Sequence, residues 1–190
     1  MLGFTPGVSN VKLDTLQDVF IEQLKDLYSA ENQILKALPK LAKAASSPEL
    51  KQAFEAHLKQ TRTQVDRLDR VMEMIDTTGK GKKCKGMEGL LEEGKETLAM
   101  KGDAAPAALD AAIIADAQRV EHYEIAAYGT VVAYAKQLGL RDAMQLLGET
   151  LGEEEQTDKR LSKIAMGVNL EAAETEPGSR GAGKKTRSAR

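Results

Sequence analysis

Five carboxylates and one imidazole stand at positions where a helical protein ordinarily places leucine. Glu31 lies four residues after Leu27 and three before Ile34. His57 lies three after Phe54, and Glu121 and Glu124 share a face with Ala117, Tyr128 and Val131. Glu154 follows Leu151 by three and precedes Leu161 by seven, with Asp158 one turn on. At 3.6 residues per turn these spacings put the six side chains on the apolar stripes of four helices. Burying an unpaired carboxylate costs several kcal/mol even after relaxation. Lys and Arg are almost absent from the stripes, so ion pairing is a poor remedy. Two divalent cations would offset most of the charge, with His57 as a nitrogen donor. Carboxylates with imidazole are the donor set of iron or manganese pairs in helical bundles, whereas zinc prefers more nitrogen and sulfur.

Each residue alone also has a plainer reading. Glu31 alone fits the rim of a helix interface, and His57 alone a hydrogen-bonded core histidine. Glu121 and Glu124 fit a solvated face bonding Tyr123 or Tyr128. Within the run Glu153-Glu154-Glu155, periodicity selects Glu154 as the inward member, and Asp158 sits at the edge of its stripe. The coincidence across four helices favours the joint reading, a metal centre.

The elements that must position these groups are legible in the hydrophobic pattern. A first helix starts near Leu13 and carries Leu16, Phe20, Leu24, Leu27, Ile34, Leu38 and Leu41 on one side. Pro39 is expected to kink it, and Ser46-Ser47-Pro48 to end it and cap the next. The second helix spans about 48–76, with Leu50, Phe54, His57, Thr61, Gln64, Leu68, Val71 and Ile75 inward. A Gly- and Lys-rich break, a short helix near 87–100 and a second break precede a long helix over about 107–137. Gly139 ends that helix, and a last one covers about 141–165. The expected organisation is a loose arm at 1–12, a bundle at 13–166 and a disordered basic tail at 167–190.

Shifting the second half back by 93 residues aligns Glu31 with Glu124, Leu27 with Val120 and Leu68 with Leu161. Two matched helical hairpins joined by a long segment imply an all-α, ferritin-like four-helix bundle whose crossover carries a short extra helix. Composition agrees. Aromatics are only 4% of 190 residues, and Ala, Leu, Glu and Lys dominate, which disfavours a β-sandwich or barrel. The formal charge of −2 gives no global field toward nucleic acid. The single cysteine, Cys84, excludes an intrachain disulfide and a CxxC metal site. With Lys neighbours it reads as a plain exposed loop thiol or, less simply, as a thiol made reactive by them. No apolar run is long enough to span a membrane and the N-terminus lacks a secretory pattern, so a cytoplasmic location is expected.

The segments LQDVFIEQLKDLYSAENQILKALPKLAKAA, FEAHLKQTRTQVDRLDRV, CKGMEGLLEEGKE, ADAQRVEHYEIAAYGT and LLGETLGEEEQTDKRLSKIA resemble the YciF/YciE-type ferritin-like proteins of bacterial stress responses. The resemblance spans about 13–165. It implies a ferritin-like bundle, a homodimer and a distant relation to rubrerythrin. The rubrerythrin-type pattern matches at Glu31, His57, Glu121, Glu124 and Glu154, but Phe54 stands where a second-helix Glu belongs and Thr157 where a fourth-helix His belongs. Asp158, Gln60, Thr61 or Gln64 could supply a substitute oxygen.

The resulting expectation is a metal-binding protein with a dinuclear iron or iron/manganese site at Glu31, His57, Glu121, Glu124, Glu154 and Asp158. Such a site would serve stress protection through peroxide or dioxygen chemistry, with Tyr28, Tyr123 or Tyr128 nearby and an external reductant. The alternative is a metal-free helical dimer with a structural or interaction role, its Lys80, Lys82, Lys83 and Lys85 docking an acidic partner. A third and weaker reading gives the basic tail, Arg180 to Arg190, a contact with nucleic acid.

Overall fold

The computed structural model describes residues 13–174, and both the expected arm and most of the expected tail lie outside them. Helix α1 spans Leu16–Ala44, α2 Pro48–Met74, α3 Lys85–Ala99, α4 Pro106–Gln137 and α5 Arg141–Glu174, with a 3-10 turn after α3. Each start has a local cause. Thr15 and Asp18 form a reciprocal capping box at α1, in which Asp18 N–H donates to Thr15 Oγ1 at 3.1 Å and Thr15 N–H to Asp18 Oδ2 at 2.9 Å. Ser47 caps α2, and proline occupies the first helical position of both α2 and α4. Gly139, at φ +75°, reverses the chain after α4, and Leu140 N–H donates back to the Ala135 carbonyl.

The chain is an all-α, ferritin-like bundle. Helices α1 and α2 form one hairpin and α4 and α5 the other. α1 packs on α4 and α2 on α5, while the crossover helix α3 lies against α1 and α4. Pro39 sits on the exposed side of α1 and does not end it. The last helix runs past the expected limit at 166. Ile164 and Val168 carry its buried stripe onward beside Ala53 and Phe54 of the same core. That packing outweighs the roughly 1 kcal/mol that a mid-helix glycine such as Gly167 costs.

The core is divided. One apolar cluster gathers Ile34, Leu38, Phe54, Ile113, Ile114, Leu161 and Ile164. The other gathers Phe20, Leu24, Leu27, Leu68, Tyr128, Val131 and Leu147. On every long helix the stretch between the two carries buried polar side chains: Glu31 on α1, His57, Thr61 and Gln64 on α2, Glu121 and Glu124 on α4, Thr150 and Glu154 on α5. The polar layer thus crosses all four helices at one level.

One further buried carboxylate lies away from this layer. Asp110 of α4 accepts from Ser46 N–H at 2.9 Å and Ser47 N–H at 2.6 Å, and so ties the α1–α2 turn to the second hairpin. Nothing in the hydrophobic pattern singles it out.

Candidate metal centre

Four ligand-type residues converge in the layer. His57, Glu121, Glu124 and Glu154 each offer an atom, all within 4.8 Å of one another, and all four side chains are buried. His57 Nε2 lies 3.3 Å from Glu121 Oε1 and 4.0 Å from Glu154 Oε2. Glu31 of α1 is not among those grouped atoms, but it faces them in the same layer, where its charge acts on Glu121 and Glu124 and its Oε1 accepts from the Tyr128 hydroxyl at 2.5 Å. The spacing of 3 between Glu121 and Glu124 is what lets one helix aim two carboxylates at one point.

Several groups brace these side chains. Gln64, on the inner stripe of α2, donates its amide to Glu154 Oε1 and, at 3.1 Å, to Glu153 Oε2. Arg67 grips Glu153 with two parallel hydrogen bonds of 2.7 and 2.8 Å, pinning α2 to α5 one turn away. Tyr128 is wholly buried and holds Glu31. Sequence reasoning places Gln64 on the stripe and Tyr128 near the centre. Arg67 is invisible to it, because an arginine outside an apolar stripe looks like any solvated one.

Asp158 does not join the grouped atoms. It accepts from Gln118 Nε2 at 2.9 Å and lies 3.4 Å from His122 Nε2, toward the edge of the α4–α5 contact. Tyr28 and Tyr123 also lead elsewhere. Tyr28 packs over Gly79, where a Cβ would come within 2.3 Å of its ring. The Tyr123 hydroxyl donates to Asp26 at 2.5 Å and lies 2.9 Å from Cys84 Sγ. Cys84 is not the exposed thiol expected. It is buried, caps α3 by accepting from Met87 N–H, and burial pushes its thiol up rather than down. Lys82 and Lys83 of the same loop make ion pairs within the chain, with Glu22, Asp26 and Glu88.

The electrostatics of the layer are costly as they stand. Burial, reinforced by the neighbouring carboxylates, holds Glu31, Glu121 and Glu124 well above the usual carboxylate range. Burial also pushes Glu154 up to about 7. The same burial pushes His57 down to about 4, so its imidazole is neutral near pH 7 and free to act as a ligand. Gln60 lies beside that ring, but neither ring nitrogen has a hydrogen bond of proper geometry. Among the described residues nine buried side-chain polar atoms lack a hydrogen-bond partner, and eight of them belong to Glu31, His57, Gln64, Glu121, Glu124 and Glu154. Native proteins leave few such atoms, so their concentration at one point fits a group that binds them. The donor set, carboxylate oxygen with one imidazole, suits iron or manganese.

Comparison with known proteins agrees with the fold. The chain is 48% identical to Protein YciF of Escherichia coli over 164 residues, covering 85% of this chain and 98% of that one. The crystal structure of that E. coli stress protein superposes with a TM-score of 0.78 over 83% of this chain and 98% of its own. YcfI of Rhodopseudomonas palustris, named as a candidate structural protein, is 39% identical and superposes with a TM-score of 0.75 over 81% of this chain and 96% of its own. Residues 15–174 match the family described as a domain of unknown function, DUF892, and the chain belongs to that family.

Proposed function

We propose that the polar layer is a transition-metal centre, most simply a dinuclear iron or iron/manganese site, and that the protein serves stress protection through it. The carrying observation is the gathering of eight unpartnered buried polar atoms on four helices between two apolar clusters. Glu31, His57, Glu121, Glu124 and Glu154 would hold the metal. A reduced iron or manganese pair there would supply electrons to peroxide or dioxygen, with an external reductant restoring it. The chain's own residues prepare the place. Gln64 fixes one Glu154 oxygen and leaves the other free. Tyr128 keeps its proton, because burial and the Glu31 charge raise its hydroxyl, and it orients Glu31 by donating that proton. The two apolar clusters exclude water above and below, which strengthens each ligand's hold on a cation. Asp158, one turn beyond Glu154, remains within reach of the layer's field, since its charge raises Glu121.

Metal analysis of protein purified without chelator tests the reading, with Glu31→Ala and Glu124→Ala beside it. At least about one iron or manganese per chain is expected in the parent after metal-replete growth, and a clear loss in both variants. A metal-free parent would overturn the proposal.

One observation favours the alternative of a metal-free structural homodimer. Met166 and Leu170 on the final turns of α5 are 69% and 64% exposed, an apolar pair that a second chain would cover in such a dimer. Addition of chelator separates the two readings. A fall in Tm supports the metal centre, since a ligand that binds only the native state must raise stability. An unchanged Tm supports the structural dimer.

A further inference from the structure

The ligand set is lopsided. α4 aims two carboxylates at the centre and α1 sets Glu31 beside them, but the α2–α5 side contributes only His57 and Glu154. On that thin side lies a cavity of about 220 Å³ between α2 and α5. Phe54, His57, Gln60, Gln156, Thr157 and Arg160 are among the residues that line it. Phe54 and Thr157, the two departures from the ligand pattern, therefore border one space.

The formal charge around that space has a single sign. Its polar edge is two amides, a hydroxyl and a guanidinium, and no carboxylate lines it; the Thr157 hydroxyl already donates to the Glu153 carbonyl at 3.1 Å, which leaves the two amides and the guanidinium as donors. Arg160 has no ion-pair partner among the described residues. His57 is 3% exposed and unpartnered at both nitrogens. Four carboxylates and one imidazole are too few donors to fill two six-coordinate shells.

We infer that this cavity binds a small planar oxyanion, a formate- or bicarbonate-like group, which lends the centre the oxygen donor and negative charge that positions 54 and 157 do not provide. Arg160 draws the anion in, and the Gln60 and Gln156 amides orient it beside His57. The inference rests on the metal reading above. It makes metal binding depend on an anion, so that each tightens the other by the same factor.

The experiment is calorimetric titration of Mn2+ into metal-free, full-length protein, in chloride buffer alone and with saturating formate or bicarbonate. At least tenfold tighter Mn2+ binding is expected with one of the two anions. Arg160→Gln, an exposed position that leaves the core untouched, should reduce that gain to under threefold. Thr157→His should bind Mn2+ tightly in chloride alone and lose most of the anion effect. Equal Mn2+ affinity with and without both anions overturns the inference and leaves the metal centre standing. No Mn2+ binding under any condition overturns both. An anion effect that survives intact in Arg160→Gln places it elsewhere and also overturns the inference.

Discussion

Two buried carboxylates on the same helix show what distinguishes a structural acid from a functional one. Asp110 is 2% exposed and Glu124 1%, so burial does not separate them. Asp110 is met by the backbone N–H groups of Ser46 and Ser47, aimed at it by the turn between α1 and α2. Glu124 meets no donor at either oxygen and faces Glu31, Glu154 and Glu121 instead. The first charge is solvated by the protein and holds two hairpins together. The second is left unsolvated among like charges, an arrangement that weakens the fold unless a cation is present. A buried acid with its donors in place points to architecture, and one without them points to a ligand.

The sharpest way to break this contrast is to supply the cation. Mn2+ or Fe2+ at about 1,000 times its Kd should stabilise the protein by about 4 kcal/mol, read as a rise in Tm. In the double variant Glu121→Gln/Glu124→Gln the rise should vanish, while Asp110→Asn should keep it. Next in size is the loss of the structural acid. Asp110→Ala leaves the two turn N–H groups without their acceptor and should cost about 2–3 kcal/mol in urea unfolding, with metal binding retained.

The dependence on pH follows in size. A carboxylate whose folded pKa is raised stabilises the fold below its ordinary value and loses that contribution as pH climbs through the folded value. Glu154, at about 7, and Glu31, Glu121 and Glu124, all held well above the ordinary carboxylate range, should therefore make chelator-treated protein less stable between pH 5 and pH 8. The change is on the order of 2 kcal/mol, because coupled groups share their protons. His57, lowered to about 4, acts in the opposite sense, stabilising above its ordinary 6.5 and ceasing to do so as pH falls through 4. It is one group against four. Bound metal should flatten or invert the slope, because it requires the ionised acids. The smallest effect is the most diagnostic. At the alkaline end of that range, where the crowded acids ionise, Glu124→Gln removes a buried charge and should stabilise the metal-free protein by about 1 kcal/mol, a sign opposite to that of Asp110→Ala.

Much of this molecule is legible in the order of its amino acids. Glu31, Glu121, Glu124, His57 and Glu154 lie on apolar stripes at helical spacing, and helix geometry alone turns such residues inward. Asp110 is not legible there, because its partners are backbone N–H groups 63 and 64 positions away in the chain. Arg67 and the burial of Cys84 are hidden for a similar reason. Their roles depend on Glu153 from α5 and on Tyr123 from α4, not on their own neighbours. The end of α5 departs from the expected limit because Gly167 looks locally like a stop, and only packing against α2 shows otherwise.

Taken by itself, the amino-acid order determined the helices, their inward faces and the level at which acids interrupt those faces, since these are properties of a repeat of 3.6 along one chain. The tertiary structure alone decided which acids find donors and which find each other. It also decided that Phe54 and Thr157 share a cavity. Those are distances between residues remote in sequence, and no local periodicity encodes them.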